Sequence, residues 1–290
     1  MWLWLALGCA LLVGIGDILS KWALRNSSER IVGLGRLLFS LPILGLAFWL
    51  NGVPRLSAPF WVTLSIMLPF EVAAYLLYLR AIKIAPLSLT VPFLALTPVF
   101  TIVTSAVLLG EHVSRVGAAG IFAVAAGAYL LHLESPSQGW WSPFFALFRE
   151  PGSRFMIFAA FFYSITSNLG KRSIQLSNPY TFAFVYQLMN ILALWLLTVG
   201  GKGENVSIGK EIRLQWKVYI ALGTVMAFAV IAHCVAISKV PVPYFIAIKR
   251  TSLMVGVLSG GMLFHERKMA QRLAATLLMV LGVALIALFP

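Results

Sequence analysis

Two adjacent cations inside an apolar run pose the first chemical question in this chain. Lys249 and Arg250 sit in PYFIAIKRTSLMVGVLSGGMLFHERK, residues 243–268, which reads as one helix whose apolar run continues to Phe264. At about 1.5 Å per helical residue, Lys249 would lie roughly 9 Å along that helix from Pro243. Charges at hydrocarbon depth must face water, protein or a ligand, so intramembrane cations are binding candidates. Arginine offers a planar fork that grips a carboxylate or phosphate bidentately, and lysine offers a point charge. The competing expectation is snorkelling, in which both side chains bend toward the nearer interface and bind nothing specific.

Further ionisable side chains lie within apolar runs. Asp17 and Lys21 are four residues apart, a spacing that suits a local ion pair on one helical face as well as a shared site. Arg36 lies early in the next run, and Lys171 with Arg172 close a later one. Glu71 stands beside Pro69 near the middle of its run; it either pairs with a buried cation or is held protonated, which would make it a proton-coupling group. Tyr75, Tyr78, Tyr186, Gln187 and Asn190 could offer uncharged contacts, although aromatics in such runs also serve as packing or interface anchors. The candidate binding residues are therefore Lys249, Arg250, Arg36, Lys21, Tyr78 and Tyr186, with Glu71, Asp17 and Lys171 as coupling or charge-pairing groups. Because cations outnumber acids here, an anionic or zwitterionic ligand is expected rather than a lipophilic cation.

Composition sets the class of scaffold. The 290 residues are 60% hydrophobic and only 11% charged, more apolar surface than a water-soluble domain can hide. A polytopic membrane protein follows. The net charge of +13 then reports loop orientation before it reports a partner, and no basic face with interleaved aromatics points to nucleic acid. His112, His132, His233 and His265 are scattered without ligand spacing, so neither a metal, a cofactor nor a catalytic residue is expected. Cys9 and Cys234 lie in apolar runs and read as inert buried thiols. A P-loop is absent from the sequence, and ATP-driven pumping has no support.

Windows of about twenty apolar residues, enough to cross the hydrocarbon layer, fall at 2–24, 31–51, 60–82, 87–109 and 114–133. A second set falls at 153–173, 180–200, 216–238, 243–264 and 270–289. The first window lacks a positive n-region and is expected to be a span rather than a cleaved signal. The expected fold is all-α and integral to the membrane, with ten transmembrane helices. At an offset of 155 residues, Ala81-Ile82 meets Ala236-Ile237, Pro86 meets Pro241, Glu111 meets Glu266, and Gly127 meets Gly282. With the offset reduced to 150, Leu19 and Lys21 meet Leu169 and Lys171, and Arg36 meets Tyr186. Five helices thus repeat as five, and an odd number sends the second copy through the membrane from the opposite side, giving two inverted five-helix repeats. Their expected bounds are 1–135 and 152–290. Gly120 with Gly127, and Gly256 with Gly260, give small faces for close helix approach. Most Lys and Arg follow odd-numbered helices, including Lys202, Lys210, Arg213 and Lys217 in one connection, which puts those loops in the cytoplasm and both termini outside. Glu111 and Glu266, with His112, Arg115, Arg267 and Lys268 nearby, read as solvated or interfacial pairs that fix loops.

This arrangement resembles the drug/metabolite transporter superfamily, in particular its EamA-type permeases. The resemblance is carried by two five-helix halves, Lys21 and Lys171 near the ends of helices 1 and 6, Arg36 early in helix 2, and Glu111 and Glu266 closing helices 4 and 9. It implies a secondary transporter of the inner or cytoplasmic membrane that moves a small polar metabolite by alternating access. The Lys249-Arg250 pair is also similar to the anion-binding helix of phosphate and nucleotide-sugar translocators. Expected partners are a small-molecule substrate, membrane lipid, and protons as coupling ion. The alternatives are a flippase for a lipid-linked sugar and, more remotely, a membrane-embedded enzyme acting on lipid-linked substrates.

Overall fold

A computed structural model describes residues 1–23, 27, 29–84, 93–131, 151–199, 214–254 and 269–288. Helices are the only regular secondary structure among these residues, and there are ten. These are α1 (Trp2–Ala23), α2 (Glu29–Leu50), α3 (Ala58–Ile84), α4 (Thr97–Leu109), α5 (Arg115–Leu131), α6 (Pro151–Gln175), α7 (Pro179–Val199), α8 (Trp216–Ile237), α9 (Val242–Lys249) and α10 (Met269–Leu288). Helices satisfy every backbone group internally, the condition that a membrane interior imposes. Hydroxyls inside them turn back on the same backbone, as Ser20 does to the Gly16 carbonyl and Thr63 to the Pro59 carbonyl.

Five of these helices contain stretches long and apolar enough to cross a membrane: Trp2–Ser20, Ile31–Leu50, Ala58–Tyr78, Pro179–Leu196 and Trp216–Ile237. Their outer faces carry large exposed apolar side chains such as Leu46, Ile66, Leu192 and Phe228. Exposed tryptophans stand near helix ends, at Trp4 and Trp22 of α1, Trp49 of α2, Trp61 of α3, Trp195 of α7 and Trp216 of α8. That placement suits the headgroup level. The chain is a multi-pass membrane protein. Helix α6 differs from the five, because it buries Ser153, Ser164, Thr166, Asn168, Lys171 and Ser173 against α3 and α4.

Two predicted spans are interrupted. The run 243–264 is expected as one helix, yet α9 ends at Lys249, Arg250 and Thr251 form a turn, and residues 252–254 are helical again. Hydrogen bonds there shorten from four-residue to three-residue spacing: Thr251 N–H donates to Ile248, Leu253 to Arg250 and Met254 to Thr251. The run 87–109 does the same. Residues 93–94 are helical, Ala95 and Leu96 turn, and α4 starts at Thr97. Pro98 explains this second break, since it has no N–H for the Leu94 carbonyl and its ring opposes a continuous helix. At the 155-residue offset Ala95-Leu96 and Arg250-Thr251 are equivalent positions. Residues 87–92 and 255–264, including Pro92, Gly256 and Gly260, lie outside the described residues, as do Glu266 and His132.

The halves interleave rather than sit side by side. α1 packs on α8 and α3 on α6, α4 on α6 and α1 on α9, while α5·α10, α2·α7 and α4·α9 pair equivalent helices directly. Exchanging the halves maps these pairings onto one another, although the packing of α2 on α8 has only a slight counterpart in α7 on α3. Glycines permit the closest approaches. A Cβ at Gly120 would stand 2.7 Å from the Gly282 carbonyl oxygen, and one at Gly282 would stand 2.6 Å from that of Gly120. Neither backbone can retreat without parting α5 from α10. Replacing Gly282 by Ala is expected to destabilise the chain by about 1–3 kcal/mol, the usual cost of overpacking a filled interface. The check is thermal unfolding of the purified protein in detergent, with Gly8→Ala, whose Cβ meets nothing within 4 Å, as the control.

Candidate functional site

The break in α9 delivers Lys249 and Arg250 to the middle of the bundle. Residues Val242 to Ile248 of α9 are all buried, whereas the two cations keep partial exposure. Arg250 Nη2 donates to Thr97 Oγ1 at the head of α4, 2.7 Å away. Lys249 Nζ lies 3.1 Å from His233 Nδ1 on α8, and the imidazole is braced edge-on by Phe245 at 4.7 Å between centroids. Lysine has donors only, so Nδ1 accepts and the ring proton belongs on Nε2.

An acidic and aromatic wall faces these cations. Tyr186 Oη of α7 donates to Glu71 Oε1 of α3 at 2.7 Å, Tyr186 stacks on Phe182 at 5.4 Å, and Asn190 Nδ2 donates to the Tyr186 carbonyl at 2.9 Å. Among the described residues no lysine or arginine forms an ion pair with Glu71. Its charge nevertheless acts on Lys249, as does that of Arg36 from α2. Tyr163 of α6 lies within electrostatic reach of Glu71, Tyr75, Tyr78 and Arg250; Asp17 of α1 and Tyr78 reach Arg250. Arg36, Glu71, Tyr75, Tyr78, Tyr163, Tyr186, Asn190, His233, Lys249 and Arg250 are each partly exposed. They come from α2, α3, α6, α7, α8, α9 and the α9 break.

Of the sequence candidates, Lys249, Arg250, Arg36, Tyr78, Tyr186 and Glu71 gather at this centre, while Asp17, exposed on α1, acts on Arg250 electrostatically. The side chain of Lys21 lies outside the described residues, and with it the expected Asp17–Lys21 pair. Thr97, His233 and Tyr163 were not anticipated. The Thr97-Pro98 pair inside an apolar run is the signal that could have found Thr97, because a proline there frees a carbonyl for a neighbouring hydroxyl. Nothing local marks His233 or Tyr163; only the packing of α8 and α6 aims them inward.

Lys171 belongs to a separate cluster. Its ammonium forms an ion pair with Glu111 Oε1 and donates to the Val240 carbonyl at 2.7 Å. Glu111 Oε2 accepts from Ser105 Oγ at 2.6 Å and from the Val242 N–H at 2.8 Å. The carboxylate therefore caps the start of α9 while joining the ends of α4 and α6. Side-chain exposures of 6% for Lys171 and 16% for Glu111 correct the expectation of a solvated loop pair: the partner comes from the other half of the chain and is buried. Tyr244 reinforces the same corner by accepting from the Ser114 N–H at 2.8 Å.

Comparison with known proteins agrees with this architecture. The EamA-like transporter family matches residues 1–133 and 151–288, and the chain belongs to that family. A solved structure described only as a crystal structure of a protein matches 99% of this chain and 97% of its own, with a TM-score of 0.77 at 17% identity. At that identity the likeness concerns the fold alone. No curated protein matches the chain in sequence.

Breaking the Lys171–Glu111 pair strands a charge in a protected corner. Lys171→Met is expected to cost about 3–5 kcal/mol, the range for removing one member of a buried pair. Lys171→Met combined with Glu111→Gln should recover part of the loss, because the stranded carboxylate is then gone. A double-mutant cycle on denaturation midpoints measures it.

Proposed function

We propose that this membrane transporter moves a small anionic or zwitterionic metabolite across the cytoplasmic membrane. The observation that carries the proposal is the set of partly exposed cations, Lys249, Arg250 and Arg36, with Glu71 and Asp17 as the acids that act on the Lys249-Arg250 pair among the described residues. Cargo binds there through a carboxylate or phosphate on Arg250 and Lys249, with Tyr78 and Tyr186 flanking it. All ten helices cross the membrane as two inverted five-helix repeats, and the two halves rock about the central site to expose it alternately to either side. The exchange symmetry of the helix pairings and the matched breaks in α4 and α9 support that arrangement. Glu71, held by the Tyr186 hydroxyl and free of any ion pair among the described residues, is the group suited to couple a proton.

Purified protein in vesicles, screened by thermal shift against anionic, zwitterionic and cationic metabolites and then by efflux, tests the proposal. Stabilisation by anions or zwitterions supports it, and stabilisation by cations alone overturns the charge assignment. Arg250→Ala is expected to lower uptake of the stabilising metabolite about 10- to 100-fold, the equivalent of one charge-assisted hydrogen bond. Glu71→Gln should keep binding and lose the dependence on an imposed pH gradient. Movement of a lipid-linked sugar, with no soluble metabolite moved, would assign a flippase instead.

A further inference from the structure

Thr97 joins the two helix breaks. Pro98 carries no N–H, so the Leu94 carbonyl has no helical donor, and the Thr97 hydroxyl donates to it at 2.7 Å. A hydroxyl has one proton. With that proton committed to Leu94, Thr97 Oγ1 can only accept, and what it accepts is Arg250 Nη2 at 2.7 Å. Thr97 is 1% exposed, which excludes water as a competitor for this contact. Arg250 Nε, in contrast, is buried without a hydrogen-bond partner. A buried donor left unmade is costly, and here it belongs to a side chain whose position is already fixed from another helix.

We propose that Thr97 is a positioning residue for cargo recognition: it pins one nitrogen of the guanidinium so that Nε–H is kept for an oxygen of a bound carboxylate or phosphate. This rests on the anion-binding reading of the centre given above. It adds that the hydroxyl of Thr97, a residue that need not touch cargo, sets the affinity of the site. The polarity of the contact is specified by Pro98, because without it the Leu94 carbonyl would take a backbone donor and the hydroxyl could rotate away.

The test uses the purified full chain and three probes, acetate, succinate and inorganic phosphate, with chloride at matched ionic strength as control. Apparent affinity is read from the rise of unfolding temperature with probe concentration. Thr97→Val, close to isosteric, is expected to weaken the best probe about tenfold or more, the loss of roughly one hydrogen bond to a charged group. Thr97→Ser, which keeps the hydroxyl, is expected to restore wild-type affinity. Arg250→Lys retains the charge without the fork; it should lose affinity to the same extent, and adding Thr97→Val to it should cause no further loss. Wild-type affinity in Thr97→Val or in Arg250→Lys overturns the proposal, as does a Ser variant that behaves like the Val variant. Failure of all three probes to stabilise the wild type, while a choline control does, would instead remove the anion-binding reading beneath it. Preference for phosphate over both carboxylates, or the reverse, identifies which oxyanion the Nε–H serves.

Discussion

The cost of placing charge at hydrocarbon depth governs this structure. Three interior cations are met by specific partners: Arg250 by Thr97, Lys249 by His233, Lys171 by Glu111. The interior carboxylate Glu71 is met by Tyr186. Three of these four contacts join one half of the chain to the other. The apolar exterior can be satisfied by any arrangement of greasy helices, but these contacts require one register of α3 against α7, α4 against α9, and α6 against the α4–α5 corner. Between helices in lipid the hydrophobic effect gives little discrimination, so close glycine packing and polar contacts must supply the specificity. The reciprocal Gly120–Gly282 approach does the first, and the paired charges do the second.

Duplication divides the residues into two groups. Where the halves match in sequence, they build the frame: Gly127 with Gly282, Ala81 with Ala236. Where they differ at equivalent positions, they supply the central charges. Arg36 stands where the second half has Tyr186, Glu71 where it has Met226, and Lys249-Arg250 where the first half has Leu94-Ala95. Met226 is buried against Gly16, an ordinary packing role, while Glu71 faces the centre. A symmetric shell can therefore hold an asymmetric constellation, with cations and acid contributed by different halves. Such asymmetry gives a bound molecule a fixed orientation, which a strictly symmetric centre could not do.

Much of this was legible in the chain. Helix number followed from apolar windows, as did the length of most helices, whereas the runs 87–109 and 243–264 hold the shorter α4 and α9; the apolar windows also marked which charges lie inside the bundle, but not that Lys171 stands apart from the others. What could not be read was which helix meets which. Glu111 looked like a solvated loop acid because its sequence neighbours are His112 and Arg115, yet its partner is Lys171, brought from sixty residues away by α6. Helix breaks were also hidden, since Ala95-Leu96 and Arg250-Thr251 are unremarkable helix formers. Only Pro98 hinted at one of them. The break at Arg250-Thr251 has no proline to cause it; its place in the repeat and the hydrogen bond from Arg250 to Thr97, beside the other break, are what accompany it.

The end of α9 at Lys249 also acts electrostatically. An α-helix carries roughly half a negative charge at its C-terminus, worth about 0.3–1 kcal/mol to a nearby cation and up to about 2 where partly buried. Because α9 stops at Lys249, both cations stand where this field is favourable, and Arg36 opposite adds repulsion that the helix end helps offset. A carboxylate partner would stabilise the pair more strongly, but it would occupy the same donors that an anionic cargo needs. Neutral acceptors such as the Thr97 hydroxyl and the His233 imidazole, together with a helix terminus, hold the cations in place without cancelling their charge. Under the proposed transport of an anionic metabolite, that choice would favour release, because no resident acid has to be displaced on entry or re-paired on exit.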